Sequence, residues 1–241
     1  MKNIINLLYN KPSLQHIAII MDGNRRWAKK QGKNSLYGHK AGVYTVKKII
    51  DLSLQFKLKV LTLYAFSSEN WKRTKEEIDF LMNLFQNILI NEIKNFKKHN
   101  ININFIGNKN KLNINLQKLI MQIEYLTKKN TALQLNIAIN YGGRQDIICG
   151  IKNIIKKINK QQISLKDINE KTFTKYLELH NSIPIDLVIR TGGEMRISNF
   201  LLWQIAYAEL YFTNILWPDF NEQHFLYAIQ NFFKRQRRFG K

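Results

Sequence analysis

"HIAIIMDGNRRWAKKQG", residues 16–32, is the stretch whose reading decides the fold. The apolar run "IAIIM" at 17–21 stops at Asp22, and Gly23, Asn24, Arg25, Arg26 and Trp27 follow at once. A short apolar run with no polar alternation, ended by a turn signal, reads as a strand covered on both faces of a parallel sheet. Sheets of that kind hold their ligands beyond the carboxyl ends of the strands. The reading therefore places one carboxylate and two guanidinium groups on a ligand-binding rim.

The rest of the chain repeats the pattern. Residues 59–66, 101–107, 133–141 and 185–190 are further buried-strand runs, and 208–213 is a weaker sixth. Between them lie stretches with helical periodicity at 39–56, 75–98, 112–128, 144–160 and 221–235. Alternation of strand and helix predicts α/β architecture: a mainly parallel six-stranded sheet flanked by helices on both faces. The chain has three prolines, no Pro/Gly/Ser-rich linker and no internal repeat, so residues 1–241 are expected to form a single domain.

Composition narrows the function classes. The net charge of +21 points to nucleic acid, an anionic membrane surface or phosphorylated small molecules, and does not choose among them. Cys149 is the only cysteine, which excludes an intramolecular disulfide and favours a reducing compartment. The opening "MKNIINLLYN" is too short and polar for a cleaved signal peptide, and no apolar run approaches the ~20 residues of a membrane span. A cytoplasmic location, peripheral to a membrane at most, is the expectation. Arginine supplies only nine of the 38 basic residues. In a lysine-rich chain each arginine marks a place where the bidentate fork matters for binding phosphate.

Five of the nine arginines sit at or near strand exits. Arg25 and Arg26 follow the first strand, Arg73 follows "SSEN" after the second, and Arg190 and Arg196 follow the fifth in "RTGGEMRISN". Taken singly, each exit has an ordinary structural reading. Asp22–Gly23 is a common turn, Ser67 and Ser68 suit a helix cap, and His39, Trp27, Trp71 and Glu209 suit packing or a half-exposed strand. Arginines at three separate exits on one rim are not expected of independent turns. The metal signal is thin: no HExxH, cysteine cluster or DDxxD occurs. Asp22 at a strand tip, with Glu209 as a candidate neighbour, suits Mg²⁺ held partly by diphosphate oxygens and water. The apolar positions of 75–98, with Leu63, Ala65, Leu133, Ile137 and Ile139, either line an apolar cavity under the rim or simply pack a core helix.

"MDGNRRWAKKQG", "GHKAG", "LTLYAFSSENWKR", "NIAINYGGR", "IRTGGEMRISNFLLWQIAYAELYFT" and "LWPDF" together resemble the cis-prenyltransferase family, over residues 16–240. The resemblance implies an α/β homodimer with an apolar tunnel. It implies stepwise condensation of isopentenyl diphosphate onto farnesyl diphosphate with new cis double bonds, giving undecaprenyl diphosphate, the lipid carrier for cell-wall glycans.

By position, Asp22 matches the aspartate that holds Mg²⁺ and diphosphate. Gly23, Asn24, Arg25, Arg26 and Trp27 match the loop gripping the allylic diphosphate, and His39 matches a diphosphate-binding histidine. Ser67, Ser68, Glu69, Asn70, Trp71 and Arg73 match a segment linking the two substrate sites, with Asn70 as proton acceptor. Arg190, Arg196, Ile197 and Ser198 match the isopentenyl diphosphate clamp. Glu209 matches a second metal ligand reaching from the partner-proximal side. Three positions depart from the family pattern: Arg25 for glycine, Ser35 for arginine and Met195 for histidine. Ser35 removes a phosphate contact and Met195 a hard metal donor, so weaker Mg²⁺ holding or a slower rate is expected. Thr74, where the family has proline, is expected to cap the helix that follows. Two rivals stand beside this reading. One is a basic nucleic-acid-binding protein, which suits the net charge and the "KRQRRFGK" tail but lacks any matching motif. The other is a non-catalytic partner subunit of a prenyltransferase.

Overall fold

In the computed structural model the described residues are 14–235. The N-terminal decapeptide and most of the basic tail, both weighed in the sequence, lie outside them. Six strands form one sheet: β1 (His16–Ile20), β2 (Val60–Ser67), β3 (Ile101–Ile106), β4 (Leu133–Tyr141), β5 (Leu187–Arg190) and β6 (Glu209–Phe212). Their order is β3-β4-β2-β1-β5-β6 and every pair is parallel. All six strands fall where the apolar runs predict them, within two residues at each end.

The helices are α1 (Asn24–Lys30), α2 (Ser35–Gln55), α3 (Lys75–Lys98), α4 (Ile114–Thr127), α5 (Gly143–Asn159), α6 (Glu170–Thr174) and α7 (Glu222–Lys234). Three differ from expectation, and the shortest of them, α6, falls where no helical stretch is predicted. Residues 24–30, where the resemblance implies a loop as far as Trp27, form a helix at once after Gly23, whose φ of +117° only glycine adopts without strain. α2 begins at Ser35 rather than 39, because Asn34 caps it by accepting a hydrogen bond from the Tyr37 N–H. Thr74 caps α3 through the Glu77 N–H, as expected of it.

Side chains alternate between the two faces of the sheet. Ile17, Ile19, Leu61, Leu63, Leu135 and Ile189 join the larger core beneath α2, α3, α4 and α7. Ala18, Ile20, Ala138 and Val188 join a smaller one with Tyr141, Phe200 and Leu201. β1 is central: the chain runs from it to β2, β4 and β3 on one side and to β5 and β6 on the other. That change of direction opens a crevice at the carboxyl ends of β1 and β5.

A polar ladder crosses the buried sheet. His16 contacts the Ile183 carbonyl through Nδ1 and Thr62 Oγ1 through Nε2, each at 2.7 Å, and Asn136 donates to Thr62 at 3.0 Å. Burial, against the raising influence of the Ile183 carbonyl and Asp186, lowers the pKa of His16 to about 4. The folded chain thus refuses a proton that the unfolded chain takes below its ordinary 6.5. Stability is full above that value and falls as the pH drops toward 4, by up to roughly 3 kcal/mol. Urea midpoints at pH 5 and pH 7.5 measure this, and His16→Gln is expected to flatten the difference. An unchanged pH difference in that variant removes His16 as the cause.

Candidate active site

Two cavities meet at the strand exits. One, of about 590 Å³, lies between the sheet and helices α2 and α3. Its walls are apolar, with Val46, Leu63, Leu81, Phe85, Ile88 and Ile137 among them, and Asp22, Asn70, Arg190 and Ser198 stand at its rim. The second, of about 640 Å³, is polar and is lined by Gly23, Asn24, Arg25, Arg26, Lys29 and Lys33. Met21, Asp22, Asn24, His39 and Arg73 belong to both. An anionic head and an apolar tail would therefore find their environments side by side. Of the five residues expected to line an apolar cavity with α3, Leu63, Ala65, Ile137 and Ile139 do so. Leu133 is fully buried in the core instead. The ladder of β2 against β4 slips at Tyr64 and Phe66, and Ala65 is exposed to the cavity at that irregularity.

Asp22 is held from both sides. Arg190, the last residue of β5, donates from Nη2 to Asp22 Oδ2 at 2.9 Å, and Arg26 Nη2 lies 3.0 Å from Oδ1. Thr191 clamps the backbone, accepting from the Asp22 N–H at 3.0 Å and donating to its carbonyl at 2.7 Å. Arg190 is 4% exposed and also donates to Ser198 Oγ at 2.7 Å and to the Arg196 carbonyl. Arg196 pairs with Glu194, whose other oxygen lies 3.7 Å from Arg26. A second group gathers on Glu77: Arg73 at 2.9 Å, His39 Nε2 at 3.4 Å and Arg25 at 4.0 Å. Burial, then the charge of Arg73, lowers the His39 pKa against the pull of Glu77, so the ring is neutral near pH 7.

Glu77 is the residue sequence reasoning missed. It stands three places after Thr74 in "TKEE", where a capping-box glutamate is expected to fold back on its cap. The structure turns its carboxylate to the arginines instead. The arginines thus rest on carboxylates, with which an anionic ligand would compete.

The remaining expected residues divide. Asn70 accepts from the Ser67 N–H at 3.0 Å and faces the apolar cavity. Trp71 packs edge-on against Phe66 and donates to Asn140 Oδ1, whereas Trp27 stacks on Tyr37 and donates to Asp219. Both tryptophans therefore hold the segments that carry their neighbours. Ser68 and Glu69 pair with each other beside Asn199. Arg196 and Ile197 lie in the loop that follows β5, and Met195 in that loop is exposed.

Glu209 is not brought to Asp22 within the chain. It opens β6 in register with Leu187, three residues before the Arg190 level, and its carboxylate accepts from Arg235 at 2.7 Å. Among the described residues no three His, Cys, Asp or Glu side chains converge on one point. The donor set still fits Mg²⁺: Asp22 offers a half-exposed carboxylate, and Mg²⁺ takes few protein ligands when diphosphate and water supply the rest. Buried Asn24 Oδ1, His39 Nε2 and Arg190 Nε, all on these walls, lack hydrogen-bond partners. Such atoms are what a polar ligand would satisfy.

Comparison with known proteins agrees with this geometry. The sequence model of the family described as "Putative undecaprenyl diphosphate synthase" matches residues 20–240. The ditrans,polycis-undecaprenyl-diphosphate synthase, farnesyl-diphosphate specific, of Wigglesworthia glossinidia brevipalpis is 56% identical, over 96% of this chain and 88% of its own. The protein of that name in Haemophilus influenzae is 53% identical, over 94% and 95%. Among solved structures, lavandulyl diphosphate synthase from Lavandula x intermedia, in complex with dimethylallyl diphosphate, superposes with a TM-score of 0.90. It shares 38% identity, over 95% of this chain and 99% of its own. A probable undecaprenyl diphosphate synthase from Campylobacter jejuni gives 0.77 at 36% identity, with the same coverage. With most of its length matched at this level, the chain belongs to the undecaprenyl diphosphate synthase family of prenyltransferases.

Proposed function

We propose that this chain condenses isopentenyl diphosphate repeatedly onto farnesyl diphosphate, forming cis double bonds, and so makes undecaprenyl diphosphate. The observation that carries the reading is the Arg190–Asp22 pair, in which Arg190 lines the apolar cavity and Asp22 lines both that cavity and the polar one. The relatives that bear this activity in their names support it.

The residues have distinct tasks in that reaction. Breaking the allylic C–O bond leaves its electron pair on the diphosphate. Arg25 and Arg26, with His39 donating, take up that charge in the polar cavity. Arg190, Arg196 and Ser198 hold the isopentenyl diphosphate so that its double bond attacks the allylic carbon. Mg²⁺, held by Asp22 and diphosphate oxygens, would add electrostatic stabilisation of the leaving group. The apolar walls keep the allylic cation from water and take up the growing chain as a tunnel. The proton lost from the isopentenyl unit goes to Asn70 or, because an amide is a weak base, to the departing diphosphate.

We also read the enzyme as a homodimer through the outer edge of β6, where Tyr207 and Tyr227 are exposed and from which a partner would bring Glu209 nearer the metal. The excess of positive charge suits peripheral contact with an anionic membrane from the cytoplasmic side. No described helix is long and apolar enough to cross a membrane. The test is incorporation of labelled isopentenyl diphosphate into butanol-extractable lipid, dependent on farnesyl diphosphate and abolished by a chelator. A salt-dependent gel shift with nucleic acid and no incorporation would favour the basic-protein reading.

A further inference from the structure

Three non-glycine residues within four positions of the loop after β5, Ser198, Asn199 and Leu201, have left-handed backbones, with φ of +46°, +62° and +47°. Residues with a Cβ keep that conformation only where their surroundings hold them in it. What holds Asn199 there is a set of contacts to two other elements. Its carbonyl accepts from the Gly143 N–H at 2.7 Å and its Oδ1 from the Arg144 N–H at 2.9 Å. Those are the first two amides of α5, which the residue in the cap position, Gly142, cannot satisfy for want of a side chain. The amide Nδ2 of Asn199 then donates to Glu69 Oε1 at 2.7 Å. Glu69 receives Ser68 Oγ on its other oxygen at 3.0 Å, and Asn70 is the next residue.

The packing shows that this junction is close-fitting. A Cβ on Gly142 would meet Ser68 Oγ at 2.4 Å and Asn199 Nδ2 at 2.7 Å. Only glycine lets the segment 67–70, the head of α5 and the loop after β5 approach as they do. On the other side of Asn199, Ser198 accepts from Arg190. One side-chain amide therefore ties the residue that anchors Arg190 to the segment that carries Asn70.

We propose that Asn199 is a positioning residue for the condensation. Its Nδ2–Glu69 bond fixes the Asn70 segment against the Arg190–Ser198 clamp, so that the isopentenyl unit and the group beside its departing proton are held in one register. The inference rests on the function proposed above. Asn199 itself touches no reacting atom in this account; it acts through Glu69 and Ser198.

A purely structural cap and a positioning bond make different demands on the side chain, and two variants separate them. Asn199→Asp keeps an oxygen for the Arg144 N–H but replaces the donor with a carboxylate facing Glu69. Glu69→Gln supplies an N–H₂ that the new aspartate accepts, restoring the bond with its polarity reversed. The measurements are steady-state kinetics, with both substrates varied, and the thermal midpoint. Asn199→Asp is expected to lower kcat about tenfold, with KM for farnesyl diphosphate unchanged and the midpoint lowered by no more than a few degrees. Adding Glu69→Gln is expected to recover most of that loss. Asn199→Asp turning over like the parent overturns the proposal, and so does a double variant no faster than Asn199→Asp. A parent chain without prenyl transfer would instead count against the proposed function, so the two failures are distinguishable.

Discussion

Asp22→Asn is expected to lower kcat about a thousandfold, the upper range for removing one preorganised electrostatic group. The substitution keeps the shape of the side chain, removes its charge and replaces the oxygen facing half-exposed Arg26 with an N–H₂. Thr191 grips the backbone of residue 22 on both sides, so the turn itself survives. An asparagine oxygen still accepts from Arg190, which leaves no buried guanidinium without an acceptor. The loss therefore falls on chemistry rather than on folding: the thermal midpoint stays within a few degrees. What disappears is the anionic ligand that would hold Mg²⁺ against the departing diphosphate. Kinetics over a Mg²⁺ titration check this. Parent-like turnover at the parent's Mg²⁺ optimum would remove Asp22 from that role.

Arg190→Lys is the second large effect. The charge stays and the fork goes. Arg190 spans Asp22 with one Nη while the other bonds Ser198 and the Arg196 carbonyl, and it does so almost without solvent. A lysine ammonium is a single point on a flexible stem and cannot hold both sides at once. Losing one charge-assisted hydrogen bond costs about 1.5–3 kcal/mol, or roughly 10–100-fold. If Ser198 and Arg196 hold isopentenyl diphosphate as proposed, the rise is expected in KM for isopentenyl diphosphate, with KM for farnesyl diphosphate nearly unchanged. Initial rates with each substrate varied in turn make the distinction. An equal rise in both constants would mean that Arg190 organises the whole rim rather than one clamp.

The parts of the fold that the sequence revealed share a physical origin. Strands covered on both faces leave uninterrupted apolar runs, so "IAIIM" and "LQLNIAINY" announce themselves. Helix α1 does not, because "NRRWAKK" carries one buried residue, Ala28, and no apolar stripe. The first turn of α2 is hidden likewise, since Gly38, His39, Lys40 and Gly42 separate its Leu36 from the apolar positions that start at Val43, and its start is set by Asn34. In the site, Asp22 and Arg190 are legible because one follows β1 closely and the other ends β5, and the carboxyl ends of the parallel strands share one rim. Glu77 was not, because its sequence position announces a cap and only the fold brings Arg25, Arg73 and His39 around it. The distance of Glu209 from Asp22 needed the β5–β6 register, which no local pattern carries. The bridge through Asn199 joins residues 130 positions apart and is invisible along the chain.

The most direct measurement is the size of the product made by the purified chain from farnesyl diphosphate, labelled isopentenyl diphosphate and Mg²⁺, resolved by reversed-phase chromatography after dephosphorylation. The account predicts a single dominant polyprenol co-migrating with undecaprenol. Label that stays in unreacted isopentenyl diphosphate, or a product extended by only one or two units, would contradict it.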